Sequence, residues 1–511
     1  MSRSDFNIVD LFFDACGESS ERIAIIEKKH QISYSELGKQ VNETALYFSK
    51  KGIKKGDRVL VLVPMSTDLY RIVLALFTIG ATAVFLDEWV SKKRMEACCR
   101  VAKCSAFIGN AKARVFAFFS PELRKIPVRL GIKYIADSKS DLLHTSVKYN
   151  DTALITFTTG TTGKPKAAKR THGFLNEQFR VLAEKIKPRS GDVSLPVLPI
   201  VLLINLGVGC TSLITDFKAG KPEQTNFKKI INQINFYKVN SIIASPFFIK
   251  QLANTVIKSK IELPGLKKIF TGGAPVFPSE AKFYKEAFPK TEINIVYGST
   301  EAEPISSIKA EELIKENGLS KGLSVGKPDK NIKVKIIRLQ NEIITCKDEA
   351  GLNKIGLRND ETGEIIVSGP HVLDAYFNNE EALKPNKIFV DGKCWHRTGD
   401  SGFLTNDDQL FLTGRCNSLI FLNNKIIAPF IYEGLLQNIN GVESGTVLEK
   451  DNRIVAVIEA KKSANKKEIS QYLKNLEDPI ICNSKIVFIK KMPRDPRHHS
   501  KIDYDKLKSI I

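Results

Sequence analysis

Twice along this chain, apolar runs of strand length alternate with amphipathic stretches of helix length. Between Ile32 and Ile108, Ser35 can cap a helix ending near Gly52. Arg58 to Val63 then reads as a strand, Thr67 to Thr78 as a helix, and Ala83 to Leu86 as another strand. The second set has strands near Ser241 to Ala244, Lys268 to Thr271 and Ile293 to Tyr297, separated by helices that start after Pro246 and Pro278. Such βαβ order predicts an α/β fold, with mainly parallel sheets and helices on both faces. From Ile332 onward the runs shorten, as in Lys333 to Leu339 and Glu364 to Val367, and predict a β-rich subdomain over about 330–413. Arg453 to Glu459, a Lys/Ser-rich helix after Ser463, and Lys485 to Ile489 predict a small α+β unit at the end. With 511 residues the chain exceeds a single core, and the expected division is 1–413 and 414–511.

In open parallel sheets, phosphate groups bind at the carboxyl ends of strands. The apolar run Ala153-Leu154-Ile155 leads directly into Phe157-Thr-Thr-Gly-Thr-Thr-Gly-Lys-Pro-Lys166. Glycines Gly160 and Gly163 let backbone N–H groups turn inward, while Thr158, Thr159, Thr161 and Thr162 add hydroxyl donors. Lys164 and Lys166 add charge. The spacing differs from the common Gly-x4-Gly-Lys-Ser/Thr loop, because two residues separate the glycines and Pro165 follows the lysine. Residues of this kind also fill plain surface turns, so the segment alone leaves both readings open.

Further motifs decide between them. Tyr297-Gly298-Ser299-Thr300-Glu301, Trp395-His396-Arg397-Thr398-Gly399-Asp400, Gly414-Arg415 and Arg497-His498-His499-Ser500-Lys501-Ile502 follow in order. Together with the Thr/Gly loop they resemble the signatures of the adenylate-forming enzymes, the superfamily of acyl-CoA synthetases, amino-acid adenylation domains and luciferases. The resemblance implies that ATP and Mg²⁺ are used to join a carboxylic acid to AMP with release of pyrophosphate. Two anions must meet in that reaction, so positioning and charge neutralisation dominate. Lys501, otherwise one lysine among many, becomes the cation that bridges the reactants, carried on a mobile C-terminal unit. Glu301 becomes the Mg²⁺ ligand, and Thr300 a donor to the α-phosphate. Tyr297 is placed to stack on adenine, although a tyrosine ending a buried strand also serves as core. Gly272, Gly273 and Ala274 match an adenine-facing turn where absent side chains admit a flat ring. Asp400 is the expected acceptor of the ribose hydroxyls, with Arg415 beside the same sugar. Asn417 stands at the hinge.

Val193 to Thr215 carries no charged residue, a length that raises a membrane span. Pro196, Pro199, Asn205, Gly207 and Gly209 interrupt it, and a buried strand forming a pocket wall is the expectation, with Leu198, Val201, Leu202 and Leu203 lining an acyl site. Phe421 replaces a lysine frequent in the superfamily, and Asn424 and Ala428 stand where CoA-using members often have glycine, which leaves CoA open as acceptor. The motif sequences resemble most the β-lactone synthetases of bacterial olefin biosynthesis, in which the substrate's own β-hydroxyl expels AMP. An acyl-CoA synthetase, or a fatty acyl-AMP ligase loading an acyl carrier, is the alternative. A basic membrane- or nucleic-acid-binding pseudoenzyme is the reading from another class, and the retained Lys166, Glu301, Asp400 and Lys501 weigh against it.

The net charge of +21 attracts polyanions, but its lysines are scattered in short groups such as Lys50-Lys51 and Lys466-Lys467 that mark solvated faces. No nucleic-acid partner is expected, and peripheral membrane contact stays open. The N-terminal residues lack a charged-then-apolar leader pattern, which predicts a cytoplasmic protein, and the nine scattered cysteines predict reduced, packed thiols.

Overall fold

Two twisted sheets carry most of the chain. The computed structural model describes residues 5–86, 91–135, 145–159, 165–218, 220–316, 321–422, 425–494 and 501–511. One six-stranded sheet runs in the order Val128–Leu130, Ala106–Gly109, Arg58–Leu62, Thr82–Phe85, Thr152–Thr159 and Pro165–Thr171. Its first five strands are parallel and the last is antiparallel. An eight-stranded sheet has Glu292–Ser299, Lys268–Gly272, Ser241–Ala244, Val193–Pro196, Thr211–Ile214 and Ile23–Glu27 in parallel, flanked by antiparallel Ala302–Lys309 and His30–Ser33. Parallel strands need both faces covered. The helices Thr67–Thr78, Pro246–Ser259 and Pro278–Ala287 supply that cover through fully buried residues such as Ile72, Phe248 and Tyr284.

A separate antiparallel sheet pairs Leu323–Ser324, Leu410–Arg415, Lys393–Leu404, Gly363–Ser368 and Lys333–Ile337, with Lys387–Val390 added beside Lys393–Leu404. After it come a short hairpin, Ile420–Leu422 with Lys425–Ile427, and a three-stranded sheet of Val442–Lys450, Arg453–Ala460 and Lys485–Ile489. This last sheet has its own apolar cluster, in which Leu436, Val447, Ile458 and Leu473 are fully buried.

Two expectations need correction. The helix after the first hairpin is Tyr34–Lys50, and its cap is Ser33, not Ser35. Ser33 is extended, its Oγ accepts from the Glu36 N–H at 3.2 Å, and Ser35 already lies inside the first turn. Val193 to Thr215 is not one strand. It forms the strand Val193–Pro196, the nine-residue helix Pro199–Gly207 and the strand Thr211–Ile214. Pro199 occupies the first helical turn after extended Leu198, and Gly209 (φ +72°) turns the chain back into the sheet. Among the described residues no helix is long and apolar enough to cross a membrane. None of the nine cysteines forms a disulfide, and burial pushes the Cys99 thiol up to about 12.

Candidate active site

The carboxyl ends of the eight-stranded sheet, the antiparallel sheet and the C-terminal unit surround one cavity of about 2650 Å³. Its polar floor begins where two strands of the antiparallel sheet pair, Asp400 opposite Arg415. Arg415 Nη1 donates to Asp400 Oδ1 at 2.7 Å and to the Thr398 carbonyl at 3.2 Å. The Tyr297 hydroxyl, arriving from the other sheet, donates to Asp400 Oδ2 at 2.8 Å. Asp400 raises the guanidinium of Arg415 above its ordinary range, and burial, then Asp400, raise the Tyr297 phenol, so both partners keep their protons and donate to the carboxylate from two sides. Each oxygen keeps a lone pair for a further donor, such as a sugar hydroxyl. Tyr297, expected to stack on a base, thus also links the two sheets at the carboxylate.

Glu301 lies deeper, 9% exposed, just beyond the strand Glu292–Ser299. Tyr376 donates its hydroxyl to Glu301 Oε1 at 3.1 Å. Lys166 Nζ and Lys387 Nζ stand 5.9 and 5.6 Å from the Tyr376 ring centre, and Lys166 donates to Asn386 Oδ1 at 2.7 Å. Burial alone would raise the Glu301 carboxyl, but attraction from His396, Lys387 and Lys166 and the Tyr376 hydrogen bond outweigh it and hold it below the usual carboxylate range. His396 is itself pushed down to about 3 by burial and Lys387, hence neutral near pH 7, so the two lysines carry the attraction. Both ammonium groups are in turn lowered, chiefly by burial. This is a charge-balanced nest for an ionised carboxylate. Thr300 and Ser299 line the same cavity; Ser299 Oγ accepts from the Glu301 N–H at 3.2 Å, and the Thr300 carbonyl accepts from Arg170 Nη2 at 3.1 Å.

Tyr376, Lys387, Asn386 and Arg170 escaped sequence reading. They meet Glu301, Lys166 and Thr300 only through contacts 75 or more positions away along the chain, and nothing local marks them. Thr158 and Thr159 end the strand Thr152–Thr159. Gly160, Thr161, Thr162 and Gly163 lie outside the described residues.

Gly272, Gly273, Ala274 and Gly298 line the cavity. For Gly272 the reason differs from the expectation. A Cβ there would sit 2.4 Å from the Val296 carbonyl oxygen, so the neighbouring strand already excludes a side chain. Gly273 has φ +87°, a left-handed turn that glycine adopts without strain.

The apolar wall is helical, and its period decides who faces the cavity. Leu198, Ile200 and Leu203 line it, with Phe85 and Ile214. Val201 and Leu202 do not: they are 4% and 0% exposed and turn into two different core clusters. Ile200 and Leu203, three residues apart, share one helical face, and Val201 and Leu202 between them turn away from it.

Lys501 lines the cavity from the C-terminal side and is exposed. Its neighbour Ile502 bridges to Arg494, and the final helix, Tyr504–Ile510, starts three residues on. The Tyr504 hydroxyl is hydrogen-bonded to buried Glu433, and stands 2.9 Å from Thr446 Oγ1. Burial raises the Glu433 carboxyl to about 7. Asn417 sits in the turn Cys416–Ser418 directly after Arg415, and also lines the cavity. Phe421 is 66% exposed, Ala428 is buried before the helix Pro429–Gln437, and Asn424 lies outside the described residues.

The comparisons with known proteins settle the family. Residues 12–377 match the AMP-binding enzyme family. The chain belongs to it. It is 28% identical over 406 residues to the olefin β-lactone synthetase of Stenotrophomonas maltophilia, covering 75% of this chain and 72% of the relative. It is 24% identical over 498 residues to 4-coumarate–CoA ligase CCL1 of Humulus lupulus, covering 91% and 86%. In fold it is similar to the O-succinylbenzoate coenzyme A synthetase of Bacillus subtilis in complex with AMP, with TM-score 0.80, 22% identity and 98% of each chain covered. The amide bond synthetase McbA of Marinactinospora thermotolerans gives TM-score 0.81 at 18% identity, covering 98% and 99%.

As an AMP-binding enzyme the protein is an adenylate-forming ligase that activates a carboxylic acid with ATP. The donor set suits magnesium bound together with phosphates. Among the described residues no group of three or more His, Cys, Asp or Glu gathers into a cage, whereas Glu301 offers a single ionised oxygen ligand. Mg²⁺ keeps several waters and takes few protein ligands. Held by Glu301, it would neutralise phosphate charge.

Proposed function

We propose that the protein forms an acyl-adenylate from a fatty or β-hydroxy fatty acid and then closes a β-lactone. The carrying observation is that one cavity runs from Asp400 and Arg415, past Thr300 and Glu301, to the apolar helix wall of Leu198, Ile200 and Leu203. A nucleotide bound by its ribose at Asp400 would present its α-phosphate near Thr300, and an aliphatic acid lying on the wall would present its carboxylate to the same place. A carboxylate oxygen attacks the α-phosphorus and pyrophosphate departs. Thr300 donates to the phosphate and Lys501 neutralises the two anions as they meet, contributions that grow as charge develops. Asn417 acts as the pivot of the C-terminal unit.

In the second step the β-hydroxyl oxygen attacks the acyl carbon, its proton is lost to water, and AMP leaves as the ring closes. Similarity to the olefin β-lactone synthetase supports this step, as do Asn424 and Ala428, which stand where CoA-using members of the superfamily often have glycine. Incubation with ATP, Mg²⁺ and a long-chain β-hydroxy acid, with and without CoA, tests it by mass spectrometry. Lactone and AMP formed without CoA are expected. Efficient acyl-CoA formation, with no lactone, would replace the second step with thiolation while leaving adenylation intact.

A further inference from the structure

The helix Ala111–Phe118 lies beside the edge of the six-stranded sheet and turns its large apolar residues outward. Val115, Phe116, Phe118 and the following Phe119 are 63%, 40%, 66% and 64% exposed, and only Ala117 is buried on the sheet side. Phe118 and Phe119 meet edge to face, with ring centres 5.7 Å apart. Single exposed apolar residues are ordinary, but four within five positions form a patch that calls for a partner.

The charge around the patch indicates which kind. From Ala111 to Ile135 there are six basic residues, Lys112, Arg114, Arg124, Lys125, Arg129 and Lys133, and one acidic residue, Glu122. Glu122 is already paired with Lys125 at 3.1 Å and Arg100 at 3.5 Å. This stretch is therefore strongly positive, and from outside it Glu96 accepts from Ser120 Oγ at 3.0 Å next to Phe119. A second copy of this face would bring like charges together, which opposes self-association through it. Aromatic side chains ringed by lysine and arginine match the interface of an anionic bilayer, where rings enter the headgroup boundary and cations meet lipid phosphates.

We propose that this face, Val115 to Phe119 with its basic rim, docks the enzyme on membranes rich in anionic lipid. The docking lies outside the cavity and does not depend on which acceptor captures the acyl group. Its arithmetic is favourable: each basic residue near an anionic surface contributes about fivefold in partitioning, and the rings add their burial.

Co-sedimentation of the full chain with vesicles tests it. Vesicles of equal parts phosphatidylglycerol and phosphatidylcholine should bind the protein, phosphatidylcholine vesicles should bind it far less, and raised NaCl should release it. Phe118→Ser combined with Phe119→Ser should weaken binding about tenfold or more. Lys112→Glu with Arg124→Glu should remove the preference for anionic lipid. Pyrophosphate release with a water-soluble acid should be unchanged in both variants, which reports an intact fold. Undiminished vesicle binding by the Phe pair would overturn the proposal. So would a wild-type dimer that the Phe pair dissolves in light scattering, or a single-stranded oligonucleotide that binds this face in preference to vesicles.

Discussion

The nucleotide side of the cavity and the lysine side handle charge in opposite ways. Asp400 and Glu301 are gripped by Arg415, Tyr297 and Tyr376 from two different sheets, so their oxygens are fixed before any ligand arrives. Lys501 is exposed, and the neighbouring Tyr504–Glu433 contact ties down the backbone after it. Preorganised carboxylates lose little on binding. In the proposed reaction a long exposed cation instead supplies reach, and its value would lie in meeting charge that exists only as the reactants join.

The sharpest way to break this contrast is Lys501→Ala. Adenylate formation should fall about a hundredfold to a thousandfold, with ATP affinity from equilibrium titration nearly unchanged. A fully active variant would remove the mobile half of the comparison. On the fixed side, Tyr376→Phe deletes one hydrogen bond to an ionised carboxylate, worth about 1.5–3 kcal/mol, so a loss of about tenfold to a hundredfold in pyrophosphate release and a higher Mg²⁺ requirement are expected. A change below twofold would show that the two lysines suffice to hold Glu301.

The smallest effect concerns the anchor beneath Lys501. The folded pKa of Glu433 is raised from 4.5 to about 7, so between those values the folded protein holds a proton that the unfolded chain releases. Stability from this group is complete below about 4.5 and is lost as pH rises through about 7. The melting temperature of the wild type should therefore drop between about pH 4.5 and about pH 7, and Glu433→Gln should flatten that drop. An identical drop in both proteins would place the pH sensitivity elsewhere.

How legible each part was follows from how local its cause is. The helix Thr67–Thr78 and the strands Ser241–Ala244 and Lys485–Ile489 were readable to the residue, because apolar periodicity and flanking Gly, Pro or Ser are local signals. Ser33 and Ser35 offer the same hydroxyl, and only backbone conformation chose between them. Pro199 announced a helix start, yet the unbroken apolar composition of the segment masked the helical period that sends Val201 and Leu202 away from the cavity. Asp400 and Glu301 stood in recognisable motifs. Their partners did not: Lys387, on a strand of the antiparallel sheet, and Tyr376, in the loop that bridges to Ala168, acquire meaning only when both are brought to the end of the strand Glu292–Ser299. The same is true of Glu433 and Tyr504, 71 positions apart.

Arg415 is both the cross-strand mate of Asp400 and the residue from which the chain enters the turn holding Asn417. The proposed sugar contact and the proposed pivot are thus two residues apart along the backbone. If a nucleotide tightens Asp400 and Arg415, it stiffens the base of the proposed swing, so the empty enzyme should sample more orientations of the C-terminal unit than the loaded one.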